Sequence, residues 1–370
     1  MKIVVVGAGN AGCFTALHYY WFTRNSGIEL ELIHNPSINS EPVGQATTIE
    51  APGLLQDTLG FNWNNNSIYA TPKSGILYEG WGKVREKFFH PFVPNQMAMH
   101  FCPSEMQKST LKSGLFKVTE GDVDPKDVDA DYVFDCRGKP KDFSDYNELK
   151  NPINSVILGR PNWDVNSLWT RAVATPDGWT FVLPGHKDSP SYDGCVGYLY
   201  NNKITSKEEA EKNFLDLFDV DISGYLTFNN YVAKNPIVDD RIILNGNRLF
   251  FLEPLEATGI QGYLHAARFT YNAIIEKSLS LKQASKTIVD NIIETQNFIL
   301  WHYQHGSKYD TPFWNYAKGF TFKDPQFNII LKRVKDGHPV WGQEDLPENK
   351  IIYGQHNMGS IKSWYEGVVK

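Results

Sequence analysis

Three glycines near the start of the chain have the spacing of a turn that binds dinucleotides. They are Gly7, Gly9 and Gly12, directly after an apolar run. In such a turn the first glycine permits a tight bend, the second lets backbone N–H groups approach a pyrophosphate, and the third lets the following helix pack closely. The amino terminus of that helix carries a partial positive charge, which favours phosphate. These residues therefore predict a dinucleotide site.

The segments around these glycines form the strand, turn, helix and strand unit that the motif requires. Residues 2–6 are an unbroken apolar strand, residues 11–22 have helical character, and residues 28–33 alternate as a second strand. The end of the second strand departs from the usual pattern. An acidic residue for the ribose is expected there, and the chain has His34 and Asn35 instead. Either side chain could still reach a ribose hydroxyl.

The rest of the chain predicts one interleaved unit over residues 1–370. Apolar runs at 130–138 and 247–252 extend the nucleotide-binding part. We expect that part to be assembled from three segments, at about 1–50, 105–140 and 240–280. The substrate region would then take the segments at about 51–104, 141–235 and 281–370. Its tail looks helical to Tyr303 and irregular beyond it.

Composition and charge exclude several classes of protein. The net charge is −6 with both signs interspersed, which gives no electrostatic footprint for nucleic acid. No apolar run approaches the roughly 18 residues of a membrane span, and the first one does not resemble a secretory signal. The four cysteines lie far apart, which argues against a disulfide framework and a zinc site. We expect a cytoplasmic protein with reduced thiols and no metal.

Several reactive side chains have no spacing that assigns them a chemistry. Lys73 lies in a Pro-Lys-Ser-Gly stretch and would by composition be a solvated loop residue. Glu256 precedes a predicted helix, where its charge would complement the helix dipole. Four histidines show neither metal spacing nor an obvious nucleophile and are predicted to be structural; they are His90, His100, His186 and His302.

Short motifs occur in a fixed order along most of the chain. They lie at residues 7–12, 43–47, 72–75, 90–92, 135–138, 179–184, 197–200, 253–260 and 310–314. Their number and order resemble those of flavin-dependent halogenases of the tryptophan halogenase family. The resemblance implies an α/β fold: a glutathione-reductase-like, Rossmann-type FAD-binding fold with an inserted β-rich substrate region and C-terminal helices. The shorter chain and altered motifs fit a small viral or otherwise divergent branch.

The resemblance assigns catalysis to two residues. Lys73 matches the lysine at the end of a tunnel from the flavin, which hydrogen-bonds hypohalous acid or is converted to a haloamine. A partly desolvated ammonium suits both, because burial lowers its pKa. Glu256 matches the carboxylate that faces this lysine and polarises the halogen donor or accepts the proton lost from the ring.

A halide site is implied at Thr258 and Gly259, whose backbone N–H groups would point from a helix start towards an anion beside the flavin. Ala257 stands where the tryptophan enzymes commonly have serine. Loss of that hydroxyl removes a donor and enlarges the site, so we expect bromide or iodide rather than chloride.

The resemblance also implies the flavin contacts and a barrier. The contacts are Gly7, Ala8, Gly9, Ala11, Gly12, His34, Gln45, Ala46, Thr47 and Ile260. Residues 44–47 match a segment, called the strap here, that runs between the flavin and lysine sites. Gln45 replaces the usual glutamate of this strap. Trp179 and Phe181 match two bulky residues that keep substrate from the flavin, with two core aromatics on a strand as the alternative.

The expected reaction is FADH2- and O2-dependent halogenation of an electron-rich aromatic, such as a phenol, an indole or a related heteroaromatic. A flavin hydroperoxide would oxidise halide to hypohalous acid, which would reach the lysine. Reduced FAD would come from a separate flavin reductase, since the chain has no second glycine motif for a nicotinamide cofactor. The substrate could be free or carrier-bound, and a homo-oligomer is compatible with the sequence.

Two other functions stay open. A flavin-dependent aromatic monooxygenase would use the same FAD fold to hydroxylate its substrate directly. A non-catalytic flavin-binding protein is suggested by the altered motif positions His34, Gln45 and Phe181. Product masses with and without bromide separate the first from a halogenase, and halide-dependent turnover of supplied reduced flavin excludes the second.

Overall fold

The computed structural model describes residues 1–40, 43–92, 96–189, 194–338 and 352–370. Strands and helices are numbered here in chain order. The helices are α1 (Asn10–Thr23), α2 (Glu50–Leu59), α3 (Pro103–Leu111), α4 (Lys207–Leu217), α5 (Gly259–Ile274), α6 (Leu281–Gln304), α7 (Pro312–Ala317), α8 (Pro325–Lys335) and α9 (Met358–Val369). Within these residues, no helix is both long and apolar enough to cross a lipid bilayer.

A six-stranded sheet carries the glycine turn. In spatial order its strands are β17 (Ile237–Val238), β18 (Ile242–Leu244), β9 (Tyr132–Asp135), β1 (Lys2–Val6), β2 (Glu29–His34) and β8 (Lys117–Glu120). The five strands from β18 to β8 are parallel. Helices α1 and α5 pack against each other beside this sheet, and the buried side chains between them form one apolar core. The predicted Rossmann-type α/β fold is confirmed.

A seven-stranded sheet forms the second layer. In spatial order its strands are β15 (Val220–Thr227), β11 (Ser155–Pro161), β14 (Gly194–Tyr200), β13 (Gly178–Pro184), β12 (Thr170–Thr175), β5 (Gly75–Glu79) and β6 (Lys87–Pro91). Strands β13 and β14 are buried at every residue, as expected where a sheet is covered on both faces. The larger apolar core joins this sheet to α6 through α9.

Three small sheets complete the fold of the residues that the structure describes. One contains β3 (Gln45–Ala46), β7 (Ala98–Phe101) and β4 (Thr71–Lys73), another β10 (Tyr146–Leu149), β16 (Asn230–Ala233) and β19 (Phe250–Phe251), and the last β20 (Ile352–Tyr353) and β21 (His356–Asn357). In the first, β7 lies between β3 and β4 and pairs antiparallel with both.

The prediction of an irregular chain beyond Tyr303 was wrong, because α7, α8 and α9 follow it. These helices are short, and such helices gain most of their stability from packing rather than from propensity. Here α8 buries Ile330 and α9 buries Trp364 in the larger core.

Candidate active site

The glycine turn has the geometry that a pyrophosphate needs. A Cβ added at Gly7, where φ is +102°, would lie 2.7 Å from the carbonyl oxygen of Cys136, and one at Gly12 would lie 1.7 Å from the carbonyl oxygen of Gly7. At Gly9 nothing lies within 4 Å of an added Cβ. Helix α1 begins directly after Gly9, without a side-chain cap. The open approach to its first N–H groups therefore fits the pyrophosphate of FAD.

Two cavities adjoin the segment that contains Val43 and Gly44. The first has a volume of about 420 Å³ and is lined by Gln45 and Ala46, among others. The second, of about 450 Å³, is lined by His34, at the carboxyl end of β2. Val43 and Gly44 line both cavities. The residues present thus fit an extended dinucleotide, whose flavin ring would occupy the first cavity and whose adenosine end would occupy the second.

The segment before α5 places one of the two predicted halide residues, Gly259, at the first cavity. Ala257 has φ +55°, in the left-handed region, and Thr258 follows in the right-handed region with φ −85°. Ala257 and Gly259 line the cavity, and the buried hydroxyl of Thr258 has no hydrogen-bond partner among the described residues. Such an alternation turns successive N–H groups into an anion-binding concavity. Ile260 is buried in the first turn of α5.

A hydrogen-bonded strap connects this cavity to Lys73. Gln45 and Ala46 line the cavity. The next residue, Thr47, donates its N–H to the carbonyl of Met99 at 2.9 Å and accepts the Met99 N–H on its hydroxyl at 3.1 Å. The carbonyl of Thr47 then accepts a hydrogen bond from Lys73 Nζ at 3.1 Å. The strap residues and the lysine are therefore fixed to the two sides of strand β7.

Lys73 is fully buried, which overturns the composition-based view of it as a solvated loop residue. Its side chain is 0% exposed, and Nζ lies 5.2 Å from the ring centre of Phe92. Burial lowers the pKa of Lys73 to about 7, against the opposing attraction of Glu256. Near neutral pH a large fraction of this amine is therefore unprotonated.

Glu256 lies at the centre of a buried polar cluster. Its Oε1 accepts hydrogen bonds from the Tyr78 hydroxyl and from His302 Nε2, both at 2.5 Å. Its Oε2 lies 3.7 Å from His90 Nδ1 and 4.0 Å from His356 Nδ1. Burial alone would raise the pKa of this carboxyl, but the imidazoles outweigh burial and the pKa lies well below its usual range. The group is thus held as a carboxylate.

Sequence reasoning missed most of this cluster. Tyr78 and His302 lie 178 and 46 residues from Glu256, so no spacing along the chain connects them. His90 and His302, predicted to be structural, both face the carboxylate. A different environment surrounds His100, whose Nε2 lies 2.9 Å from the Thr170 hydroxyl.

The predicted barrier residues occupy different environments. Phe181 lines the first cavity, where Gly197 leaves room for its ring. Trp179 is 1% exposed and packs against Phe181 and Trp81, with ring centres 6.2 and 6.5 Å apart. Of the pair, it is therefore Phe181 whose ring forms part of the cavity wall.

The described residues contain no group of three or more His, Cys, Asp or Glu side chains that could hold a metal ion. All four cysteines are free and buried. Burial raises the pKa of the thiol of Cys13, and likewise of Cys136 and Cys195. These three thiols therefore stay protonated and chemically inert near neutral pH.

Comparison with known proteins identifies relatives of this chain. The family model of tryptophan halogenases matches residues 2–113 and 118–358. Tryptophan 7-halogenase RebH of Lentzea aerocolonigenes is 25% identical over 218 residues. That alignment covers 53% of this chain and 39% of RebH, so the match spans well under two thirds of the relative's length.

Solved structures agree with the fold over nearly the whole chain. The tryptophan 6-halogenase SttH of Streptomyces toxytricini has a TM-score of 0.79 at 17% identity, covering 99% of this chain and 90% of SttH. BrvH, a flavin-dependent halogenase from Brevundimonas sp. BAL3, has a TM-score of 0.77 at 16% identity, covering 99% and 89%. At these identities the similarity establishes the architecture.

Proposed function

Because the chain belongs to the tryptophan halogenase family, we propose that it is a flavin-dependent enzyme that halogenates an electron-rich aromatic molecule. The proposed substrates are phenols, indoles or related heteroaromatics, with bromide or iodide preferred to chloride. FAD is the cofactor of this family, and a separate reductase supplies it in reduced form. When bound, reduced FAD and oxygen would supply the oxidising equivalent that converts halide to hypohalous acid.

The observation that carries this proposal is the buried contact between Lys73 and the strap. Hypohalous acid made in the first cavity would travel along the strap, whose last residue, Thr47, hydrogen-bonds the amine. A solvent-facing lysine would release an oxidised halogen into water. A fully buried one instead holds it where only a bound substrate can react, which supplies proximity and orientation.

Three parts of the chain would hold the reactants. The turn around Gly9 would bind the pyrophosphate, and the first cavity would bind the flavin ring. The N–H groups of Thr258 and Gly259 would bind the halide, with the small side chain of Ala257 leaving room for a large ion. The ring of Phe92, beside the Lys73 amine, marks the side from which an aromatic substrate would approach.

Substitution of the aromatic ring needs a proton acceptor, and Glu256 is suited to that role. A carbon–halogen bond would form at the ring, and the proton on the same carbon would pass to the carboxylate. The low pKa of Glu256 keeps its carboxylate ionised for this transfer. Its electrostatic interaction with Lys73 supports a position of the proton acceptor near the halogen donor.

The test supplies the purified protein with reduced FAD, oxygen, bromide and a panel of phenols and indoles, with products read by mass spectrometry. We expect a brominated product that disappears in Lys73→Ala while flavin oxidation continues. The surface variant Lys83→Ala serves as the matched control. Bromide-independent hydroxylation would instead identify a monooxygenase, and the absence of any turnover would identify a non-catalytic flavin-binding protein.

A further inference from the structure

We propose that His302 is a protonated imidazolium that balances the charge of Glu256. This pairing leaves Lys73 as a neutral amine, which takes the halogen covalently as a haloamine. This inference rests on the proposed halogenase function. It assigns His302 as a positioning residue, because it acts on the halogen through Glu256 and Lys73. The hydrogen bonds of its two ring nitrogens carry the argument.

One nitrogen of His302 fixes the protonation of the other. His302 lies in α6, and its Nδ1 is 2.7 Å from the carbonyl oxygen of Phe298, one turn earlier. A carbonyl oxygen only accepts hydrogen bonds, so Nδ1 carries a proton. Nε2 is 2.5 Å from Oε1 of Glu256. If the imidazole were neutral, with its proton on Nδ1, an unprotonated Nε2 would face the carboxylate oxygen, and both atoms are acceptors. A proton must therefore lie between His302 and Glu256.

The other contacts of the carboxylate place that proton on His302. The Tyr78 hydroxyl donates to the same Oε1 at 2.5 Å, and two donors on one oxygen favour the ionised carboxylate. His90 and His356 face the other oxygen at 3.7 and 4.0 Å. Burial lowers the pKa of both of these imidazoles, that of His356 to about 4. Both lie beyond hydrogen-bond distance of the carboxylate, and burial disfavours their charged forms. The hydrogen-bonded imidazolium of His302 is therefore the close partner charge.

The groups on the lysine side agree with this distribution of charge. His100 lies near Lys73, and burial holds the pKa of its imidazole well below the usual range. Glu253, in the same segment as Glu256, interacts with Tyr78. Burial raises the pKa of Glu253 to about 8, so that it is largely uncharged at neutral pH. With Glu256 already balanced by His302, no carboxylate near Lys73 among the described residues requires this lysine to be an ammonium ion.

The charge on Lys73 decides which chemistry it can do. An ammonium ion has no lone pair and can only hydrogen-bond hypohalous acid. A neutral amine attacks the halogen: a nitrogen–halogen bond forms, the oxygen–halogen bond breaks, and the departing hydroxide takes one amine proton to give water. The substrate ring then attacks the halogen, and the electrons of the nitrogen–halogen bond return to nitrogen. Glu256 accepts the proton lost from the ring carbon and passes it to that nitrogen, which restores the neutral amine of Lys73.

The first experiment needs neither flavin nor turnover. Protein labelled with 15N-histidine and 13C-lysine is titrated by NMR without FAD, and the His302 signals are assigned with His302→Gln. We expect both ring nitrogens of His302 to be protonated at pH 7.5, and the apparent pKa of Lys73 to rise by at least one unit in His302→Gln. An unprotonated Nε2 at that pH would overturn the proposal.

The second experiment measures halogenation between pH 6 and 9. In His302→Gln the acidic limb of the pH–rate profile should move to higher pH by at least one unit, which is about a tenfold loss of rate at pH 6. The rate at pH 9 should be close to that of the wild type. A purely structural role would lower the rate at every pH instead. The matched control is His305→Gln, whose histidine makes the same Nδ1 contact one turn on, with the Trp301 carbonyl.

The two experiments separate failure of this inference from failure of the proposed function. If the wild-type protein halogenates but His302→Gln leaves both the Lys73 titration and the acidic limb unchanged, the inference is wrong and the function stands. If the wild-type protein makes no halogenated product, the proposed function is wrong. Should His302→Gln not fold, Glu256→Gln provides the second NMR comparison, with loss of the His302 imidazolium expected and its persistence contradictory.

Discussion

The amine of Lys73 and the backbone of Thr47 are directly joined, with Nζ 3.1 Å from the carbonyl oxygen. Thr47 directly follows two residues that line the first cavity. A displacement of the strap of one ångström would therefore move the acceptor of the lysine by a similar distance. Such a shift of the lysine should slow halogenation, since small misplacements of reacting groups lower rates by orders of magnitude.

Replacement of Thr47 by valine should uncouple flavin oxidation from halogenation. The variant removes the acceptor of the buried Met99 N–H, which costs about 1–3 kcal/mol of unfolding free energy and loosens the strap. We expect the ratio of halogenated product to flavin oxidised to fall several-fold. Thr119→Val loses a comparable hydrogen bond, to Glu31, and should keep the wild-type ratio. Equal ratios in all three proteins would contradict the role of the strap.

Two glycine substitutions should separate an effect on FAD binding from an effect on folding stability. Gly9→Ala meets open space, so stability without FAD should change by less than about 0.5 kcal/mol, whereas the dissociation constant for FAD should rise at least tenfold. Gly12→Ala collides with the carbonyl of Gly7 and should destabilise the protein by about 3 kcal/mol. Thermal unfolding and FAD titration measure both effects. Unchanged FAD affinity in Gly9→Ala would exclude a pyrophosphate at this turn.

Lys73→Met should stabilise the protein in a pH-dependent way. The pKa of Lys73 is about 7 in the folded protein and about 10.4 in an unfolded chain. Between these values the unfolded chain binds a proton that the folded protein lacks, so the wild-type free energy of unfolding rises with pH, by up to about 1.4 kcal/mol per unit. Below pH 7 both states bind the proton, and the full free-energy cost of burying the charged amine is present.

The methionine variant should therefore exceed the wild type by several kcal/mol at pH 6, with the difference shrinking towards pH 10. Urea unfolding at the two pH values measures it. The exposed lysine in Lys83→Met should change stability by less than about 0.5 kcal/mol at both. A stability difference for Lys73→Met that is the same at pH 6 and pH 10 would show that the buried amine remains charged.

Ala257→Ser should move the halide preference towards chloride. The added hydroxyl supplies a donor and fills part of the space beside the N–H groups of Thr258 and Gly259. We expect the ratio of chlorination to bromination rates to increase several-fold, as read by competition between the two halides. Ala257→Gly tests the backbone separately: it relieves the left-handed φ of +55° and should stabilise the protein by about 1 kcal/mol. If both variants keep the wild-type ratio, the side chain at this position does not set the preference.

The nucleotide-binding turn could be predicted from sequence because its chemistry is local. Gly7, Gly9 and Gly12 act within one turn and one helix start, and their spacing encodes the geometry directly. The cluster around Glu256 could not be predicted, since it depends on how β5, β6, α6 and β21 meet. Neither the burial of Lys73 nor the orientation of His302 is encoded by its neighbours in the chain. Both arise when separate layers pack together.

Assembly of the parallel sheet also constrains when the protein becomes competent. Its strands come from residues 2–34, 117–135 and 237–244, so a nascent polypeptide cannot complete the sheet until residue 244 has left the ribosome. The glycine turn is synthesised early, but the sheet that supports it is complete only after two long insertions have been synthesised and folded. We therefore expect cofactor capture to be a late event in biosynthesis, with newly made chains dependent on collapse of the insertions before they can retain a dinucleotide.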